Sequence, residues 1–240
     1  MNLSVPFHTL IEPELMPGES VEDLQLNGLG IIQRRDGFRF GTDAVQLAHF
    51  TKVRKRDRVA DFGTGSGIIA ILLCAYNPEI TVDAIEIQED IASMAQRSVN
   101  MNGLDGRIAV HNMDIKQAPA LLGRGVYDVI TCNPPYYDAS TAIKPQSLNK
   151  LISRTDTLIT IDEICAAAAA MLKSGGRLSV VYPAMRMYEM MKAMDKAALA
   201  PKRVRTVHAT SRHPARLALI DGVKHGGSQL DWLPPLILNE

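Results

Sequence analysis

The residues best suited to chemistry stand in Asn133-Pro134-Pro135-Tyr136, which follows an apolar stretch at 126–130. Tyr127-Asp128-Val129-Ile130-Thr131 reads as a short buried strand that breaks at two consecutive prolines. Proline cannot continue a central ladder, so the chain leaves the sheet at the strand's carboxyl end, where open α/β sheets bind ligands. The Asn133 amide oxygen and the Pro134 carbonyl are two acceptors, and neither proline brings a competing N–H. Tyr136 adds an aromatic face. An acceptor pair beside a ring suits a planar amino group: that of adenine, cytosine or guanine, or a glutamine amide. The plain alternative is a β-turn with a buried tyrosine.

A second set of residues precedes it. Val59-Ala60-Asp61-Phe62-Gly63-Thr64-Gly65-Ser66-Gly67 puts a strand directly before glycine-spaced turn residues that open a helix. A dinucleotide fingerprint needs glycine at position 68, which is Ile68. Asp61 would also lie unfavourably close to a pyrophosphate. A cationic or zwitterionic ligand fits better, and S-adenosyl-L-methionine carries a sulfonium and an ammonium. Glu86 ends the next strand, roughly 20 residues past the turn, where a carboxylate accepts from ribose hydroxyls. Ile87 beside it can cover an adenine face, and Asp114, after the third strand, can meet an adenine amino group. Singly, each has a structural alternative, since glycine turns are common and acids at strand ends are usually solvated.

These residues need a scaffold, and the chain supplies one. From residue 58 strands and helices alternate: strands at 58–62, 81–85, 108–112, 127–131 and 177–182, with helices at 68–76, 89–102 and 185–198. Thr160-Ile161-Asp162-Glu163 is a capping-box signal for a further helix, whose run Ala166 to Ala170 would pack closely on the sheet. Methionines 187, 190, 191 and 194 recur at helical spacing and read as core filling. Strand-like runs at 203–209 and 217–220 close the chain. The pattern predicts one doubly wound α/β domain over 58–240, with a mostly parallel sheet and an antiparallel C-terminal edge hairpin. Residues 1–57 read as an extension that packs on the cofactor site. In it 1–30 is irregular, 29–33 and 38–40 form a hairpin about Asp36-Gly37, and Thr42 or Asp43 caps a helix. The polar segment 137–157 reads as a long loop.

At 240 residues, 46% hydrophobic and 22% charged, the composition is that of a soluble globular protein. The absence of an apolar run near ~18 residues, and of a basic n-region before an apolar core, predicts a cytoplasmic protein without membrane span or signal peptide. Cys74, Cys132 and Cys165 lack metal-ligand spacing, which predicts buried free thiols and no metal. The formal net charge is zero, but cations cluster at 52–58 and at 202–216. The two clusters could form one phosphate-facing surface; charged runs are also simply solvated.

Taken together, Asp61-x-Gly63-x-Gly65-x-Gly67, Glu86, Asp114 and Asn133-Pro134-Pro135-Tyr136 resemble the class I S-adenosylmethionine-dependent methyltransferases that act on amino groups. Ile31-Ile32-Gln33, Phe38-x-Phe40-Gly41-Thr42-Asp43-Ala44-Val45, Glu86-Ile87-Gln88 and Gly222-Val223-Lys224 narrow the match. Over residues 24–238 the chain is similar to the bacterial tRNA-valine (adenine-37-N(6)) methyltransferase family. That resemblance implies a Rossmann-like fold with a seven-stranded sheet, and Thr42 and Asp43 closing over the methionine end of the cofactor. It implies Asn133, Pro134 and Tyr136 as catalytic residues, with Asn133 also at the cofactor. Adenine 37 would stack on Tyr136, with Pro135 and with Phe38 or Phe40 as further walls, and the stretches 52–58 and 202–216 would hold the tRNA backbone. Where relatives carry Ala-Arg-His-Glu, this chain reads Ser153-Arg154-Thr155-Asp156, which keeps Arg154 alone as a substrate contact.

Two rivals stand beside this expectation. A protein glutamine methyltransferase acting on release factors shares the motif, but such proteins usually carry a helical N-terminal domain. A non-catalytic S-adenosylmethionine-binding protein would keep the fold and lose catalysis; the intact Asp61, Glu86 and Asn133-Pro134-Pro135-Tyr136 argue against it.

Overall fold

The central strand is β3 (Arg58–Phe62), whose last four residues are all buried. β-Branched and aromatic residues without a polar alternation suit a strand covered on both faces. The computed structural model describes residues 12–35, 41–134 and 159–239. On one side β3 pairs in parallel with β4 (Thr81–Glu86), and β4 with β5 (Ile108–Asn112). On the other it pairs in parallel with β6 (Tyr127–Cys132), which pairs in parallel with β7 (Leu172–Pro183). β9 (Ala215–Lys224) lies between β7 and β8 (Leu199–His208), antiparallel to both.

The seven expected strands are therefore β3 to β9, and the antiparallel hairpin closes the C-terminal side as expected. Among the described residues the sheet itself has nine strands. The two additional strands are β10 (Asp231–Trp232) and β11 (Leu236–Ile237), both parallel to β8. Pro234-Pro235 separates them: without N–H groups these residues cannot keep up the ladder, so one edge ribbon becomes two short pieces. Pieces that short carry no period in the sequence.

Helices cover both faces. On one face α1 (Thr42–Phe50), α2 (Ile68–Tyr76) and α3 (Glu89–Met101) bury Leu47, Ile71, Leu73 and Val99 against Val59, Val82 and Ala84. On the other, α4 (Ala118–Leu121), α5 (Ile161–Met171) and α6 (Met187–Lys196) enclose Phe62, Ile85, Ile130 and Val180. The α5 capping box forms with both its bonds, Thr160 Oγ1 accepting from Glu163 N and Glu163 Oε2 from Thr160 N. Ala168 is fully buried against the sheet, as are Met190 and Met194 of α6. α3 stops at Asn102-Gly103, with Gly103 at φ 63°.

The N-terminal region differs from expectation. The strand at 29–33 forms as β2 (Gly30–Arg34), but its partner is β1 (Glu19–Asp23), from the stretch that reads as irregular. The expected second arm, 38–40, lies outside the described residues. β1 is held by a long-range pair: Arg97 Nη2 donates to Glu19 Oε1 at 2.8 Å, and the Glu19 side chain is 5% exposed. The other edge of β2 docks on α3. Gly30 N and Ile32 N donate to Asn102 Oδ1 and Ser98 Oγ, each at 3.0 Å, and Asn102 Nδ2 donates to Gly30 O at 2.7 Å. Neither Thr42 nor Asp43 caps α1. Gly41 is the N-cap, and Asp43 Oδ1 accepts from Ala44 N. Ile31, Leu47 and Phe50 share one core with Val59 and Ile71, so the extension is part of the same globular body.

Candidate active site

Four parallel strands, β3 to β6, end along one edge of the sheet at Phe62, Glu86, Asn112 and Cys132. β3 is where the strand order reverses, with β4 on one side and β6 on the other. The crevice above such a reversal is where open α/β sheets hold ligands.

Asp61 sits one residue before the end of β3, level with Thr131 of β6, and is fully buried. Thr64 Oγ1 donates to its Oδ2 at 2.6 Å and Thr131 Oγ1 to its Oδ1 at 2.7 Å. Burial pushes the carboxyl up to about 6 against the pull of those two hydroxyls, and the charge of Glu86 adds to the rise. A charge held at that cost lies directly beneath the glycine turn. Gly63 and Gly65 take φ of 64° and 58°, and a Cβ on either would meet nothing within 4 Å. The conformation demands glycine, and the space above it is open to a ligand. Gly67, the N-cap of α2, completes the turn by donating from its N to Thr64 O at 3.0 Å.

Glu86 forms the rim. Its Oε2 accepts from Gly65 N at 3.1 Å and its Oε1 from Gln88 N at 3.0 Å, so it braces the turn while keeping lone pairs for a ligand. Ile87 beside it is 46% exposed, a large apolar side chain presented at the crevice. Asn112 is a residue that sequence reasoning missed: its Nδ2 donates to both Glu86 O and Ile87 O at 3.0 Å and fixes their backbone. A lone asparagine at a strand end carries no signal of such a role. Thr64 and Thr131 were missed for the same reason. Asp114 lies past the end of β5 as expected, but its carboxylate is engaged, accepting from Lys116 N at 2.9 Å and facing Lys116 Nζ at 3.5 Å.

Asn133 follows β6 directly and is half-buried; Pro134 is buried. The structure thus brings Asp61, Gly63, Gly65, Gly67, Glu86, Ile87, Asp114, Asn133 and Pro134 to one edge. The short connection from α1 back to β3 directs the N-terminus of α1, with Thr42 and Asp43, toward that same edge. Phe38, Phe40, Pro135, Tyr136 and Arg154 lie outside the described residues. The three cysteines are buried free thiols, with burial pushing Cys74 up to about 11 and Cys165 to about 12. No group of three or more His, Cys, Asp or Glu that could hold a metal occurs among the described residues. None of their helices is long and apolar enough to cross a membrane.

The two cationic stretches do not form one surface. Residues 52–58 precede β3 and lie at the opposite edge of the sheet. There Lys55 pairs with Glu79, and Arg58 pairs with Asp83 and lies 4.5 Å from the Tyr127 ring. In the second stretch Arg203 is buried on Asp221 and donates to Phe50 O, while Lys202 donates to the carbonyls of Gly227 and Gln229. Only its far end, in the turn from β8 to β9, reaches the edge that carries Asn133.

The acid beneath the turn, the open space above it and the carboxylate rim fit S-adenosyl-L-methionine, which carries cationic centres and ribose hydroxyls. The chain matches the methyltransferase small domain family over residues 35–210. It is 33% identical over 150 residues to a Serratia proteamaculans protein named tRNA1(Val) (adenine(37)-N6)-methyltransferase, spanning 62% of this chain and 56% of that one. A Trichodesmium erythraeum protein of the same name is 26% identical over 193 residues, 80% of each chain. The fold is that of a predicted O-methyltransferase from Agrobacterium tumefaciens, with a TM-score of 0.68 at 21% identity over 82% of this chain and 88% of that one. It is also that of geranyl diphosphate C-methyltransferase from Streptomyces coelicolor in complex with S-adenosyl-L-homocysteine, with a TM-score of 0.55 at 14% identity over 76% and 77% of the two chains. Sequence, fold and site converge: the chain has a Rossmann-like fold, S-adenosyl-L-methionine is its expected cofactor, and it belongs to the methyltransferase small domain family.

Proposed function

We propose that this protein methylates the exocyclic amino nitrogen of adenine in RNA, with adenine 37 of tRNA-valine as the target. The observation that carries the reading is the position of Asn133 and Pro134, directly after β6 and one strand from the buried Asp61. The relatives' names supply the choice of adenine and of tRNA.

S-adenosyl-L-methionine supplies, when bound, an electrophilic methyl group on a sulfonium that is a good leaving group. The chain's own task is placement and electrostatics. Asp61 gives the turn its negative potential, Glu86 orients the ribose and Ile87 covers a base face. The Asn133 side-chain oxygen and the Pro134 carbonyl accept the two amino hydrogens of the target. Two acceptors in the plane of the base draw the nitrogen lone pair out of ring conjugation and aim it along the remaining direction. Asn133 carries no charge, so it orients without needing to take the proton, which leaves after transfer. Tyr136 provides the stacking face, with Pro135, Phe38, Phe40 and Arg154 as further substrate contacts. Thr42, Asp43 and Asp114 complete the cofactor contacts.

The test is incubation with labelled cofactor and unmodified total tRNA, and separately with release factor, followed by digestion. Label in N(6)-methyladenine at position 37 supports the proposal. Label in methylglutamine overturns it in favour of a protein glutamine methyltransferase. Cofactor binding without transfer to either overturns it in favour of a non-catalytic binding protein.

A further inference from the structure

β7 and β8 both reach the edge that carries Asn133, and the segments following them are exposed there. After β7 the chain makes a 3-10 turn, Ala184–Arg186, that packs against β9 and leads straight into α6. Met185 in this turn is 89% exposed and Tyr188, in the first turn of α6, is 76% exposed. Large apolar and aromatic side chains held out to that degree side by side are costly in a surface with no partner. The neighbouring turn from β8 to β9 carries Arg212 and leads to Arg216, both exposed. No ion pair is made by either guanidinium among the described residues, whereas Lys196 pairs with Asp162 and Arg203 with Asp221. No acid occurs between Asp195 and Asp221.

The two segments form one wall. Pro183 is in register with Leu217, which places the start of β9 beside the Ala184–Arg186 turn. Val207 pairs with Leu217 and His208 with Ala215, so Arg216 is the extra residue of a β-bulge at the start of β9, beside that turn. The β8–β9 turn is internally braced, His208 Nδ1 donating to His213 O at 2.8 Å and Arg212 N to Thr210 Oγ1 at 3.3 Å, so its cations are presented on a fixed backbone.

We propose that this wall is the docking surface for the single-stranded RNA flanking the target adenine: a base stacks on Tyr188 against Met185, and Arg212 and Arg216 take adjacent backbone phosphates. This rests on the RNA reading above and deepens it. An exposed ring beside unpaired arginines matches the way proteins hold single strands, by stacking and by phosphate neutralisation. The wall stands at the same edge of the sheet as Asn133, on strands next to β6, whereas the cationic stretch 52–58 is at the far edge.

The test is the binding of unmodified tRNA transcripts to the full chain by fluorescence anisotropy across a salt series, with S-adenosyl-L-methionine affinity measured in parallel. Arg212→Glu combined with Arg216→Glu weakens RNA binding at least about tenfold and flattens the log K against log salt slope by about 1.5. Tyr188→Ala weakens binding about tenfold with the slope unchanged. Lys55→Glu combined with Arg56→Glu, at the opposite edge, leaves both quantities as in the unmodified protein, and cofactor affinity is constant throughout. Unmodified affinity and slope in the double arginine variant overturn the inference, as does an equal loss in the Lys55/Arg56 variant. If the unmodified protein labels RNA while the wall variants bind normally, the wall alone fails. If it labels release factor and no RNA, the proposed function fails and takes the wall with it.

Discussion

Thr131 Oγ1 donates to Asp61 Oδ1 at 2.7 Å, joining the strand that leads into Asn133 to the acid beneath the glycine turn. The second oxygen of the same carboxylate holds Thr64, inside the turn, at 2.6 Å. One buried group thus fixes the cofactor side and the acceptor side relative to each other, and its protonation state matters to both.

Cofactor affinity should depend on pH through Asp61. The carboxyl is pushed up to about 6 in the free protein, and a bound cation favours its ionised form. Affinity is therefore full above about 6 and falls toward tenfold per pH unit below it, with proton uptake by the carboxyl competing with the ligand. Calorimetric titration between pH 5 and 8 in buffers of different ionisation enthalpy measures both the affinity and the released proton. A flat profile with no proton release would show that Asp61 is not the group beneath the cation.

The same carboxyl should make the free protein less stable than it need be. Its folded value of about 6 lies above the ordinary 3.8. Stability from this group is therefore greatest below the ordinary value and is lost as pH rises through about 6. The span corresponds to ~3 kcal/mol at neutral pH. Asp61→Asn keeps a partner for both threonine hydroxyls and removes the charge. It should raise stability at pH 8 by up to ~3 kcal/mol, give no gain at pH 4, and weaken cofactor binding. Urea unfolding at the two pH values separates this from a packing effect, which would be the same at both.

Much of this site is legible from local patterns. The glycine spacing after β3, Glu86 at the end of β4 and the Thr160 capping box each state their role within a few residues, because turns, caps and strand ends are set by local backbone chemistry. What is not legible is set by pairing at a distance. Glu19 lies in the stretch that reads as irregular, yet its side chain is buried on Arg97, from a helix 78 residues away. Arg203 reads as a phosphate ligand, yet the β8–β9 register sets it against Asp221. Asn112 and Thr131 act through neighbouring strands, and nothing in their own surroundings announces it.

Asn102 should be a stability hinge for the N-terminal hairpin. Its side chain satisfies both Gly30 N and Gly30 O on the open edge of β2, at 3.0 and 2.7 Å. Asn102→Ala leaves these buried groups unpaired, a cost of ~1–3 kcal/mol for each donor or acceptor without solvent. Thermal unfolding should shift down, and amide exchange should accelerate in β1 and β2 while β3 to β6 keep their protection. Uniform acceleration through the sheet would mean that the hairpin is not a separate unit of opening.

Asn133 separates placement of the substrate from placement of the cofactor. The bonds that shape the turn, from Thr64 to Asp61 and from Gly65 to Glu86, do not involve its side chain. In Asn133→Ala one of the two acceptors for the target amine is gone, and the nitrogen lone pair is no longer held out of the ring plane. An orienting hydrogen bond made in a dry site is worth ~3–4 kcal/mol to a transition state, so turnover should fall by about two to three orders of magnitude. Cofactor affinity should change by less than about threefold, since the acid, the turn and the rim remain. Asn133→Asp keeps an acceptor but adds a negative charge near Asp61, so it should bind the cation at least as well while failing to restore full turnover. Single-turnover methyl transfer alongside equilibrium cofactor binding distinguishes the outcomes: parallel loss of both quantities in Asn133→Ala would place its side chain on the cofactor side of the site.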